Sequence, residues 1–183
     1  MDNGACSYRR FRDGDESAFD EIMDEYFRGL VFFIDRYVHN VHASEDIAID
    51  VFSDLIVHKK RYNFKVSLKT YLYMLGRSRA LDHLKHNKII DFVGLDQASS
   101  LADEENILED TVLRNERKKA VNAALSKLPE DMRLVIHLVY FEDMTYDDAA
   151  RVLKKSRKQV DNLLYRAKRR LYIILGEDGE CVL

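Results

Sequence analysis

Within SRKQVDNLLYRAKRRL, residues 156–171, six side chains are Lys or Arg and a single one is acidic. Such a stretch offers hydrogen-bond donors and positive charge, the chemistry of polyanion binding. Arg157 and Lys158 can donate to guanine edges, and Gln159 and Asn162 can pair with adenine edges if they face a groove. Arg166, Lys168, Arg169 and Arg170 lie further along and suit phosphates, while Ser156 offers a hydroxyl beside free N–H groups. A second cationic block, 58–90, mixes Lys59, Lys60, Arg61, Lys65, Lys69, Arg77 and Arg79 with Tyr62, Phe64, Tyr71 and Tyr73. Bases along a backbone with ring faces for unstacked nucleobases suit single-stranded nucleic acid. Tyr71 fits that role or a place in the core equally well.

Two His-x-x-His pairs, His39/His42 and His83/His86, are the nearest approach to a metal site. The first sits at a helix end without acidic or Cys ligands in register, and the second lies where an added cation is disfavoured. There is no G-x-S-x-G elbow and no phosphate-cradling glycine loop. The expectation is a protein with no catalytic residue, no metal and no cofactor. Cys6 and Cys181 have no partnered spacing, so a disulfide framework is not expected and a reducing cytoplasm is.

The elements that carry these residues read as helices. One proline, seven glycines and helical spacing of apolar residues point to an all-α chain. The stretches 17–38, 44–60 and 67–88 read as helices, the last either one long helix or two with a break near Gly76, with Ser17 and Ser44 as N-caps. Asp46, Asp50 and Asp54 recur every four residues beside Val51, Phe52 and Leu55. That pattern is either an ordinary amphipathic helix or a ridge for a partner with a basic helical surface. Residues 91–113 hold seven acids and no Lys or Arg and read as a linker. Helical patterning resumes over 116–128, and Pro129 fits the first turn of the next helix. Thr145 with Asp148, then Ser156 with Gln159, cap a short helix and a longer basic one, a helix-turn-helix.

Charge follows the same plan. The formal net charge is −3, yet residues 58–90 hold 9 Lys and Arg against 1 acid, and 151–183 hold 9 against 4. Acidic segments flank the first block and separate the two, so a phosphate meets two cationic surfaces despite the net charge. No run of apolar residues is long enough for a membrane span, and the N-terminus lacks the apolar stretch of a secretory signal.

Taken in order, SEDIAIDVFSDLI, SLKTYLYMLGRSRALDHLKH and LPEDMRLVIHLVYFEDMTYDDAARVLKKSRKQVDNLLYRAKRRL resemble the bacterial extracytoplasmic-function (group IV) sigma factors from about residue 9 to 175. The resemblance implies two small helical domains: a sigma2-like bundle over 1–90 and a sigma4-like helix-turn-helix domain over 114–183, joined by the 91–113 linker. It implies that Asp46, Asp50, Val51, Phe52 and Leu55 meet the beta-prime clamp helices of core RNA polymerase. Tyr71, Ser78, Arg79, Asp82, His83 and His86 would meet the minus-ten element. Ser156, Arg157, Lys158, Gln159, Asn162, Arg166 and Arg169 would meet the minus-thirty-five element, in a domain that also docks on the beta flap. An anti-sigma factor is implied by the family alone. Ile49, Tyr71, Ser78, Lys154 and Lys155 stand where relatives commonly have glutamine, tryptophan, asparagine, glycine and an apolar residue, which leaves promoter preference open. The alternative is a polymerase-independent helix-turn-helix regulator. It would bind duplex DNA unaided, as a dimer on a palindrome, and would need no basic, aromatic first domain.

Overall fold

The computed structural model describes residues 3–92 and 121–177. These separate into two compact units: 3–92 with 151–154, and 121–150 with 155–177. All regular structure among the described residues is helical, as the apolar spacing predicts.

In the first unit, α2 (Ser17–Val38) packs against α1 (Asn3–Arg12), α3 (Val41–Val57) and α4 (Leu68–Phe92). Its buried residues Ala18, Ile22, Tyr26, Leu30, Val31, Phe33, Ile34 and Tyr37 recur every three or four positions, the stripe an amphipathic helix buries. Each large apolar side chain removed from water in this way contributes roughly 1.5–3 kcal/mol.

Two local expectations give way to better partners. Ser17 lies inside α2, its hydroxyl donating to Asp15 Oδ1 at 2.6 Å, and Glu16 holds the cap position without a side-chain bond. α3 begins a turn before Ser44. Asn40, in extended conformation, accepts from the Ala43 N–H, and the buried Ser44 donates to Asn40 O at 2.8 Å. An oxygen that reaches the first free N–H outcompetes a serine one turn on. His39, left-handed at φ 52, ends α2, so two residues suffice to join the helices.

Gly76 decides between one long helix and two. α4 runs through it without a break, because a hydrogen side chain is what the crossing with α2 requires: a Cβ there would meet Leu30 Cδ1 at 2.8 Å and Ile34 Cδ1 at 3.3 Å. α4 also extends to Phe92, two residues into the stretch expected to be linker. The remainder of that stretch, 93–113, lies outside the described residues.

Sequence patterning missed α1 as an element. Its Tyr8 is fully buried, donates to Lys59 O at 3.0 Å and meets the rings of Tyr62 and Phe64 edge-on. Phe64 is left-handed at φ 61, and the Arg9 and Arg12 guanidiniums lie over its ring at 5.0 and 5.4 Å. The connection between α3 and α4 is therefore held from below by α1.

In the second unit, residues 121–126 are helical, which fits the helix expected over 116–128. Pro129 is the N-cap of α5 (Glu130–Ile136), one position before the first turn, with Glu130 and Asp131 at its positive end. α5 passes into a π-helical segment, His137–Phe141, closed by the Glu142 N–H donating to His137 O. The helix-turn-helix follows as α6 (Tyr146–Leu153) and α7 (Arg157–Glu177).

Two measurements check this packing. Gly76→Val should lower stability by roughly 1–3 kcal/mol, read as a lower urea midpoint, because the α2–α4 crossing has no room for it. Burial pushes the Tyr8 hydroxyl up to about 12, with nearby Tyr71 adding to the shift and Arg12 opposing it. Folding thus favours the neutral phenol. Its contribution is complete below the unfolded value of about 10 and is lost as pH rises from there to about 12. Tyr8→Phe should flatten that alkaline fall in urea titrations, while costing about 1 kcal/mol at neutral pH for the donor lost to Lys59 O.

Candidate nucleic-acid interface

The longer basic helix is held at its start by a reciprocal cap. The Gln159 N–H donates to Ser156 Oγ at 3.2 Å and the Ser156 N–H to Gln159 Oε1 at 2.7 Å. One turn of chain earlier, Thr145 accepts from the Asp148 N–H at 3.1 Å and donates to the Asp148 carboxylate at 2.6 Å. Lys154, at φ 53, takes the left-handed turn position, and the Lys155 N–H donates to Ala150 O. Val160, Leu164 and Ala167 are buried along one side of α7, with Leu163, Leu171 and Ile174 half-buried. The opposite side presents Lys158, Asp161, Asn162, Tyr165, Arg166 and Arg169 to solvent, at i, i+3, i+4, i+7, i+8 and i+11. Arg157 is exposed too, but one of its guanidinium nitrogens donates to Asp147 Oδ2 at 3.0 Å. Lys155 is drawn to Asp131 at 3.1 Å. Lys168 lies over the Tyr140 ring at 5.2 Å, and a hydrogen bond to that phenol holds its ammonium above its ordinary value.

In the first unit, Ser78, Asp82 and His86 are exposed on α4. Asp82 accepts from Lys85 at 3.3 Å, and His83, half-buried, shares a hydrogen bond with Asn87 at 3.0 Å. Tyr71 is half-buried against Tyr62, their ring centroids 5.1 Å apart, and burial raises its hydroxyl, with Arg61 opposing. It closes the ring cluster of Tyr8, Tyr62 and Phe64 and leaves one part open, so both readings of this residue hold a share.

On α3, Asp46 and Asp50 are exposed. Val51, Phe52 and Leu55 are not: all three are at most 2% exposed and form core, which corrects their assignment to a docking surface. The apolar part of the exposed ridge is instead Ile49, Ile56 and Val57, 45–71% exposed. Sequence reasoning set Val51, Phe52 and Leu55 beside the acids by proximity in the chain, without asking which side of the helix the core takes. Four residues of α-helix advance about 40° beyond a full turn, so Asp54 is rotated about 80° from Asp46. It pairs with Arg61 at 3.0 Å and Arg79 at 3.4 Å.

No three His, Cys, Asp or Glu side chains among the described residues come together to hold a metal ion, and no described helix is long and apolar enough to cross a membrane. His39 of the first His pair is spent as the left-handed cap of α2.

Residues 22–89 match the Sigma-70 region 2 family, and residues 118–171 match the Sigma-70, region 4 family. The chain belongs to the sigma-70 family. It is 26% identical over 169 residues to the RNA polymerase sigma-H factor of Pseudomonas aeruginosa, across 87% of this chain and 86% of that one. It is 24% identical over 152 residues to the ECF RNA polymerase sigma factor SigM of Bacillus subtilis, across 83% and 91%. The solved structure of the sigma factor RpoE in complex with the anti-sigma factor NepR from Bartonella quintana has the same fold. Its TM-score is 0.65 at 19% identity, covering 86% of this chain and 96% of that one.

This extracytoplasmic-function sigma factor is thus an alternative transcription initiation factor, which binds core RNA polymerase, directs it to promoters and helps melt the minus-ten element. α7 bears out the capping box expected at Gln159, whose side-chain oxygen accepts from the cap while its NH2 group stays outside that bond. The same cap gives a test of the turn. Lys154→Gly should stabilise the helix-turn-helix by about 0.5–1 kcal/mol in urea unfolding, since glycine takes φ 53 without the Cβ clash that lysine meets.

Proposed function

We propose that this is a group IV sigma factor acting in the cytoplasm, with no chemistry of its own, built as a sigma2-like domain over 1–90, an acidic linker over 91–113 and a sigma4-like domain over 114–183. Asp46 and Asp50, with Ile49, Ile56 and Val57, form the surface for the beta-prime clamp helices of core polymerase. Two carboxylates flanked by exposed apolar side chains suit a basic helical partner better than they suit water. Tyr71, Ser78, Arg79, Asp82, His83 and His86 meet the opened minus-ten element, where small polar groups and a ring edge offset an unpairing cost of a few kcal/mol. On α7, Lys158 and Asn162, together with Arg157, read the minus-thirty-five element in the major groove. Ser156, the NH2 of Gln159, Arg166 and Arg169 fix register on its phosphates. The second domain docks on the beta flap.

The observation that carries this reading is the exposed cationic side of α7, held rigid at its entry by the Ser156–Gln159 cap, in a chain whose other basic helix exposes a separate set of polar groups. An anti-sigma factor is a further proposed partner, supported by the presence of one in the similar RpoE structure.

The test is transcription from genomic fragments by purified core polymerase with this protein. Promoter-specific transcripts are expected, together with weak duplex binding by the protein alone. Tight, specific duplex binding without polymerase, or no specific transcript, would overturn the reading. Within that assay Asp50→Arg should weaken core binding about tenfold or more. Asn162→Ala should cost about 1–3 kcal/mol at one promoter position. Arg169→Ala should weaken all promoters alike and reduce the salt slope by about one.

A further inference from the structure

Asp54 is the third acid of a regular series, yet its environment is unlike that of the first two. Its side chain is 14% exposed, and two guanidiniums and an imidazole converge on it from three segments. Arg61 of the α3–α4 connection donates to Oδ2 at 3.0 Å, Arg79 of α4 lies 3.4 Å from the same oxygen, and His58 at the end of α3 lies 3.7 Å from Oδ1. Lys59, Lys60 and Lys65 belong to the same cationic block. A guanidinium that commits one nitrogen to a carboxylate keeps its remaining N–H groups in a fixed plane. Without the carboxylate, two Arg side chains would repel one another and sample many directions.

We propose that Asp54 is a positioning residue for promoter opening: it aims Arg61 and Arg79 at the minus-ten strand and takes no part in holding polymerase. The inference rests on the reading of α4 as the minus-ten surface. It makes Arg61, outside the minus-ten set named above, part of that surface.

The experiment uses the full chain with core polymerase. Core affinity is read by fluorescence anisotropy, and opening by permanganate reactivity of minus-ten thymines on a panel of promoters with single minus-ten substitutions. Asp54→Asn should bind core within about twofold of the parent. It should open promoters about five- to tenfold less, the scale of one net hydrogen bond, and its ranking of the panel should flatten. Asp54→Glu should restore the ranking, which a purely structural loss would not predict. Arg61→Gln and Arg79→Gln cut the same contacts from the other side, and each should flatten the ranking even if Asp54→Asn does not fold. A loss of core affinity like that of Asp50→Arg would overturn the inference. So would an unchanged panel with Asp54→Asn while Arg79→Gln shifts it, an outcome that leaves the α4 reading standing. An unchanged panel with both Arg variants would sink that reading and this inference together.

Discussion

The apolar stripe of α2 is the constraint from which the first unit's display of charge follows. α1, α3 and α4 all pack on that helix. Each must turn its own apolar residues inward, and what remains outside is fixed by a 3.6-residue repeat rather than by composition. Asp46 and Asp50 stay in water on α3, while Val51, Phe52 and Leu55 go to the core. On α4 the close crossing at Gly76 presses Leu72, Tyr73 and Ala80 inward, so Ser78 and Asp82 are left outside. The polar surface is therefore a by-product of burial. A change in the α2 stripe would reach the sites without touching them.

The second unit obtains the same result from hydrogen bonds at helix ends. α7 begins where a serine and a glutamine satisfy one another's backbone N–H groups, and the preceding turn is closed by a lysine in a conformation glycine would take more easily. The cap engages the side-chain oxygen of Gln159, and Asp147 engages part of Arg157. A polar side chain at a recognition surface is seldom free of its own protein, and specificity is set by what those internal bonds leave over.

Motifs whose physics is local were legible in the sequence: the Thr145 and Ser156 caps and the short and long helices that they open. Failures arose where two segments meet. Asn40 and Ser44 are both good caps on propensity, and only the length of α3 chooses between them. Whether Gly76 breaks its helix is left open until Leu30 and Ile34 are brought beside it. Asp54 looks like a sibling of Asp50 until Arg61 and Arg79 arrive from outside its helix. α1 escaped notice because it is short, rich in arginine and poor in apolar residues, and Tyr8 gains its burial from Tyr62 and Phe64, more than fifty residues on.

The π-helical segment at His137–Phe141 makes each hydrogen-bonded loop one residue longer than an α-turn would. The wider turn closes the helix with Leu138 and Met144 both buried while Tyr140 and Phe141 stay in water. Two aromatic rings are thus left at the surface just ahead of α6, where an ordinary α-turn would have ended one residue sooner.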